Sequence, residues 1–170
     1  MKIIGVDPST IRVGWAVLVA ESGDIWRVGS GVFALKGGSR EARLFDLMNR
    51  LREVVQDYEP VQAAIEEGYV GGAFGKINFK ANLALAEARG VAKAVLWPQV
   101  SGILGLAPSS IKKMVTGKGN AQKQTVGRAV SCLLKITQPA DDNETDALAI
   151  AYAAAISLER PLDLSFTRDP

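Results

Sequence analysis

Met1–Ala16 reads MKIIGVDPSTIRVGWA. The apolar run Ile3-Ile4-Gly5-Val6 delivers Asp7. Pro8-Ser9-Thr10 then interrupts it before a second apolar stretch opens at Val13-Gly14-Trp15-Ala16. This pattern predicts a buried strand, a tight connection and a return strand, with one carboxylate at the end of the first strand. A carboxylate among apolar neighbours has to be paired, hydrogen-bonded or coordinated, because desolvating it alone is costly. No basic residue follows Asp7 until Arg12, so Asp7 is a candidate metal ligand.

Outward from this stretch, Glu21-Ser22-Gly23-Asp24 reads as a hairpin turn and Ile25 to Phe33 as a third strand, completing an antiparallel meander. Ser39 is a candidate N-cap for a helix that carries Leu44, Leu47, Met48, Leu51, Val54 and Val55 and ends near Tyr58, before Pro60. Val61 to Ile65 is a short apolar strand running into Glu66-Glu67. Gly68 to Lys76 is a loop rich in glycine and aromatics. Helical spacing resumes from Ile77 to Trp97, with Gly90 as an interruption and Pro98 as a stop. Ile103 to Ala107 is a fifth strand. Pro108-Ser109-Ser110 reads as a helix start, and two short helices follow, roughly Ser110 to Thr116 and Ala121 to Leu134, then a polar break at Pro139 to Asn143 and a last helix from Glu144 to Leu158. Strands that come first as a meander and then alternate with helices predict an α/β chain: a mixed five-stranded sheet with helices on both faces. Residues 1–158 are expected to form one domain and residues 159–170 a flexible tail.

Composition narrows the chemistry. The chain has 170 residues, 48% of them apolar and 22% charged, a globular balance. No run is long enough to span a bilayer and no signal-peptide pattern opens the chain, so a cytoplasmic protein is expected, or its organellar or viral equivalent. There is no histidine, which removes Ser-His-Asp and Cys-His nucleophilic machinery and any His-ligated zinc. The single cysteine, Cys132, builds neither an internal disulfide nor a thiolate zinc site. An enzyme with this composition is left chiefly with carboxylates and a hard, oxygen-seeking cation.

Three segments present acids beside apolar structure. Asp7 and Glu66 end two strands; if those strands are neighbours, both carboxylates emerge at one sheet edge. Asp146 precedes the apolar run Ala147 to Ala151, and Asn143 and Asp142 lie three and four residues before it, on the same helix face. Such a cluster suits a two-metal site for phosphodiester chemistry. The plainer alternatives are that Asp141 to Glu144 cap a helix, that Asp7 is a turn residue, and that Glu66 and Glu67 are solvated strand-end charges.

Five stretches in register, MKIIGVDPSTIRVGWAVL, AAIEEGYV, EARGVA, SSIKKMVTGKGNAQKQTV and NETDALAIAYAAA, resemble the RuvC family of Holliday-junction resolvases across residues 1–157. The resemblance implies an RNase H-like fold, a homodimer, and paired nicking of four-way DNA junctions in recombination and repair that depends on Mg²⁺ or Mn²⁺, with two ions per site. It leaves open a branch-migration helicase as a further partner. By position, the resemblance makes Asp7, Glu66 and Asp146 metal ligands and catalytic acids. It makes Lys112 and Lys123 basic residues serving the substrate phosphate and catalysis, and Tyr69 an aromatic that stacks on junction bases. The family pattern Asp-x-x-Asp has Asn143 in its first place here; an amide oxygen ligates a hard cation but brings no charge. Asp142 is the alternative ligand.

From Ser109 to Lys135 the chain carries Lys112, Lys113, Lys118, Lys123, Arg128 and Lys135 and no acid, a nucleic-acid signal weighed against a merely solvated basic face. Tyr69, Phe74 and Phe79, interleaved with Lys76 and Lys80, are candidates for stacking on unpaired bases, although core packing suits Phe79 better. Trp15, Trp26 and Trp97 read as core or interface residues. Three rivals remain: an RNase H-like nuclease of broader branched-DNA or RNA–DNA hybrid specificity, a junction-binding protein with impaired catalysis, and a lobe of an actin- or sugar-kinase-type ATPase.

Overall fold

The computed structural model describes residues 1–67, 79–137, 139 and 141–159. The opening stretch folds as a strand and its return: β1 (Lys2–Asp7) pairs antiparallel with β2 (Arg12–Glu21), Asp7 lying opposite Gly14. Ser22 and Gly23, both at positive φ, turn the chain into β3 (Asp24–Ala34). Next comes helix α1 (Arg40–Tyr58). The Ser39 side chain accepts from the Ala42 N–H at its start, and Glu59 in the left-handed region, followed by Pro60, ends it.

β4 (Gln62–Glu66) then inserts parallel to β1, in the register Val6 to Ile65. After α2 (Phe79–Leu96), β5 (Ile103–Leu106) pairs parallel with β4. The sheet order is β3-β2-β1-β4-β5, the mixed five-stranded sheet expected from the sequence. Helices α3 (Pro108–Thr116), α4 (Lys123–Leu134) and α5 (Asp142–Glu159) complete the described chain.

Strand periodicity decides which face each acid takes. Ile4, Val6, Val13, Val17, Ala63 and Ile65 pack under α1 and α2 in one core. Ile3, Ala16, Leu18 and Ala64 pack under α3, α4 and α5 in the other. Side chains alternate along a strand, so Asp7 follows Ile3 and Gly5, and Glu66 follows Ala64, onto the α5 face. Helix α5 reaches the sheet there because glycine leaves room. A Cβ on Gly5 would lie 2.5 Å from the Ala147 carbonyl oxygen and the Ala151 nitrogen, and one on Gly14 would run into the Asn143 carbonyl. Asn143, Ala147 and Ala151 thus form one line down α5, lying on the floor that Gly5 and Gly14 make.

Some expectations need correction. Gly90 does not interrupt α2: the helix runs through it, and among the described residues a Cβ there would meet nothing within 4 Å. Helix α5 starts at Asp142, inside the segment expected to be a break, because the Asp141 side chain accepts the Asn143 N–H as a cap. The expected helix start at Pro108-Ser109-Ser110 holds: α3 begins at Pro108, where a proline without an N–H is harmless in the first turn. Of the tryptophans, only Trp15 packs inward, against Phe33 and Tyr58. Trp26 is 40% and Trp97 68% exposed, so neither belongs to the core. The loop with Tyr69, Phe74 and Lys76, and the tail from residue 160, lie outside the described residues, as does the Phe79 side chain. Among the described residues no helix is long and apolar enough to cross a membrane.

Candidate active site

Asp7 and Glu66 follow directly on the paired residues Val6 and Ile65 of two parallel strands, so they leave the sheet side by side. Asp146 comes down from the first turns of α5, and its charge acts on both. Burial pushes the Asp7 carboxyl up to about 7; the charges of Asp146 and Glu66 add to that, while Lys123 and Arg89 oppose it. Glu66 is raised as well, chiefly by burial and then by Asp146, against Arg89, Lys112 and Lys123.

Lys123, the first residue of α4, reaches into this acid group. Its Nζ lies 2.8 Å from Asp146 Oδ2 and 3.5 Å from Asp142 Oδ2. Burial alone would lower the ammonium's pKa. The hydrogen bond and charge of Asp146, with those of Asp142, outweigh it, and Lys123 is held above its ordinary value. Lys112 arrives from α3. With Glu66, Lys123, Asp146, Pro108 and Ile111 it lines a cleft of about 240 Å³. Two helices of the basic stretch therefore each send one lysine to the acids.

The other predicted residues distribute differently. Glu67, next to Glu66, takes the opposite face of the sheet, lying over Gly105 and 3.8 Å from Lys93 of α2. The Asp142 side chain is 76% exposed and pairs with Lys123. Asn143 is half-buried, with its backbone against Gly14, the residue paired with Asp7. Of the two candidates beside Asp146, Asn143 is the one at the sheet. Lys113 turns away to a separate groove with Ser22, Ile25, Met114 and Tyr152, and Lys118 and Arg128 are exposed. Tyr69 and Lys76 lie outside the described residues.

Two features escape a reading of the sequence. Arg89, in the EARGVA stretch of α2, faces both Asp7 and Glu66 electrostatically, and its buried Nε has no hydrogen-bond partner among the described residues. The second is a set of ties holding the start of α5 to the meander. Arg12 pairs with Asp141, the Ser30 hydroxyl donates to Glu144 at 2.6 Å, and Arg27 approaches Glu144 at 3.9 Å. The Asn143 amide and then Arg12 hold the Asp141 carboxyl well down, at about 2.

The donor set is all oxygen: three carboxylates from β1, β4 and α5, with a carboxamide one turn from the third. Among the described residues no three acidic or cysteine side chains are drawn in around one point. Burial first, and then the charges of Asp146 and Glu66, raise the Asp7 carboxyl, and a hard divalent cation relieves the part that comes from the neighbouring acids. On donor chemistry and charge, the residues fit such an ion.

A family model described as crossover junction endodeoxyribonuclease RuvC matches residues 3–154. The chain belongs to the RuvC family. Crossover junction endodeoxyribonuclease RuvC of Ruegeria pomeroyi is 35% identical over 155 residues, 91% of each chain. That of Bradyrhizobium diazoefficiens is 35% identical over 158 residues, covering 91% of this chain and 86% of its own. Among solved structures, Thermus thermophilus RuvC in complex with a Holliday junction substrate superposes with a TM-score of 0.80 at 21% identity, over 94% of this chain and 96% of that one. The yeast mitochondrial Holliday junction resolvase Ydc2 gives 0.62 at 12% identity, over 94% and 83%. These likenesses bear on fold, and they bear out the RNase H-like architecture expected from the resemblance. Membership of the RuvC family makes the protein an endodeoxyribonuclease by kinship, as the five sequence stretches implied.

Proposed function

We propose that this RuvC-family chain resolves four-way DNA junctions by hydrolytic nicking at the Asp7–Glu66–Asp146 cluster. The observation that carries this is the convergence of two strand-end acids and one helix acid beneath a lysine that hydrogen-bonds the third. Asp7, Glu66, Asp146 and the Asn143 carboxamide would hold the divalent cations, Mg²⁺ or Mn²⁺, two per site. Bound there, the ions supply an activated water and neutralise charge on the phosphate. The chain's own residues do the rest. Lys112 and Lys123 line the cleft beside Glu66 and Asp146, placed to receive the phosphate and offset charge that builds up in the transition state. The Asp146 hydrogen bond keeps Lys123 protonated, so its charge is present across the neutral range. The exposed Lys118 and Arg128, with Lys113, Tyr69 and Lys76, would carry the DNA arms and junction bases.

Paired nicks require two sites, and helix α2 offers a surface for a second copy. Leu83, Ala86, Gly90 and Ala94 of α2 and Trp97 just past its end are all exposed, and the spacing of three to four residues puts the first four on one helix face. The apolar residues and the open space over Gly90 suit close helix-to-helix packing in a homodimer.

The test is a cleavage assay on a synthetic four-way junction, titrated with Mg²⁺ and Mn²⁺, with a flap and an RNA–DNA hybrid as competing substrates. Symmetric nicks in the junction, lost in Asp7→Asn, are expected. Equal cleavage of all three substrates would favour a broader nuclease. Tight junction binding with no nicking under either metal would make the protein a junction binder only.

A further inference from the structure

Asp141 stands just before α5, and each of its carboxylate oxygens has a partner. Oδ1 accepts both the backbone N–H and the side-chain Nδ2–H of Asn143, each at 2.9 Å. Oδ2 is ion-paired with Arg12, which opens β2 beyond the Pro8-Ser9-Thr10 connection. A carboxylate accepts hydrogen bonds and cannot donate to an amide oxygen. The half of the Asn143 carboxamide that faces Asp141 therefore has to be its NH₂ group, and Oδ1 is the end of the amide turned away from Asp141.

This matters because the two ends of a carboxamide have nearly the same shape and opposite hydrogen-bonding character. Aspartate at this position would present oxygen in either orientation. Asparagine presents oxygen in only one, and in the other it aims an N–H pair at whatever the site binds. Asn143 stands one helical turn before Asp146, with its backbone on Gly14 and thus beside Asp7. We infer that Asp141, held in place by Arg12, is a positioning residue that fixes the Asn143 carboxamide so that its oxygen is the group offered to the acid cluster. Building on the metal-site reading above, this makes Asn143 a neutral oxygen ligand of fixed orientation. A residue with no charge of its own then serves where a carboxylate needs no such help.

The experiment measures Mn²⁺ affinity of the DNA-free protein by electron paramagnetic resonance, in a cycle over positions 141 and 143. Asp141→Ser keeps an oxygen that can cap the helix, but a hydroxyl both donates and accepts and so no longer dictates the amide orientation. With Asn143 present, Asp141→Ser is expected to weaken Mn²⁺ binding roughly tenfold, the lower end of what losing an outer partner of a ligand costs. Arg12→Gln, an exposed change that leaves the cap intact, is expected to weaken binding in the same direction but less. In the Asn143→Asp background, Asp141→Ser is expected to cost far less, because a carboxylate at position 143 presents oxygen in either orientation, and binding in that background is tighter than in the wild type because the substitution adds a negative charge. Equal losses in both backgrounds would overturn the inference, leaving Asp141 as a helix cap only. So would unchanged binding in Asp141→Ser with Asn143 present. If neither the wild type nor Asn143→Asp binds Mn²⁺, the metal-site reading fails and takes this inference with it. Binding that persists with an additive cycle removes this inference alone.

Discussion

Gly14 and Asn143 meet backbone to backbone: the Asn143 carbonyl occupies the space where a side chain at Gly14 would begin. Gly14 is also the partner of Asp7 across β1 and β2. One contact thus fixes both the height of α5 over the sheet and the distance from Asp7 to the helix that carries Asp146. Gly14→Ala drives a methyl into rigid backbone, so the start of α5 has to lift. Overpacking of this kind costs about 1–3 kcal/mol. The expected outcome is a lower denaturation midpoint at an unchanged denaturant slope, together with lost junction cleavage. A variant that cleaves normally would show that Asp146 does not depend on this seat.

Asp7→Asn separates chemistry from binding. The amide keeps the shape and removes the charge, so junction affinity in a gel-shift or anisotropy titration is expected to stay within about threefold of wild type. Cleavage is expected to fall by at least about 10³-fold, the scale on which a principal electrostatic group acts. Nicking that survives at the wild-type rate would remove Asp7 from the site.

The same carboxyl sets a pH dependence in metal-free protein. In the folded chain its pKa is raised from 3.8 to about 7, so the folded state holds this proton more tightly than the unfolded one. The resulting stability is fully present below about 3.8 and is lost as pH rises through about 7. Asparagine does not titrate. In EDTA, the Tm of Asp7→Asn relative to wild type is expected to climb across that window and to level off above it. Adding Mg²⁺ at about pH 8 is expected to narrow the gap by raising the wild type alone. A Tm difference that stays flat from acid to alkaline pH would contradict the burial and crowding assigned to Asp7.

The acids were legible in the sequence because a strand has a period of two. Once MKIIGVD and AAIE are read as strands, the parity of Ile3, Gly5 and Asp7, and of Ala64 and Glu66, assigns both carboxylates to one face. Glu67 falls on the opposite face by the same rule. Arg89 and Asp141 were not legible in that way. Arg89 sits in a helix of mixed character whose rotation is set only when Ala88 and Ala92 pack on the sheet. Asp141 is one of several adjacent polar residues, any of which has a side chain able to cap α5, and only Arg12, distant in sequence, singles it out. The exposure of Trp97 shows the same limit: an aromatic at helical spacing signals burial somewhere, and the rest of the helix decides where.

Lys123 is tied to Asp146 at 2.8 Å and to Asp142 at 3.5 Å, and it is the cation most closely engaged with the acids among the described residues. Lys123→Met keeps the stem and removes the charge. Single-turnover cleavage is expected to slow by about 10²–10³-fold, as for loss of one group stabilising transition-state charge. Junction affinity changes little, because Lys112, Lys118 and Arg128 remain. Lys123→Arg is expected to recover only part of the rate, since a planar fork does not replace a compact ammonium against one carboxylate oxygen. Loss of binding in step with loss of rate would make Lys123 a DNA contact and nothing more.

Gly90 gives the sharpest test of the proposed dimer. Among the described residues a Cβ there would meet nothing within 4 Å, and replacing a mid-helix glycine stabilises α2 by about 0.5–1 kcal/mol. In a dimer packed through Leu83, Ala86, Gly90, Ala94 and Trp97, an arginine at the same place puts a bulky charge into the closest approach of two helices. Gly90→Arg is therefore expected to keep or raise the monomer's Tm while sedimentation velocity shows a shift from dimer to monomer. Nicks in a junction then become uncoupled, each strand being cut independently and paired products becoming rare. A dimer that survives Gly90→Arg would place the interface on another face, because no close packing along this side of α2 accommodates that side chain.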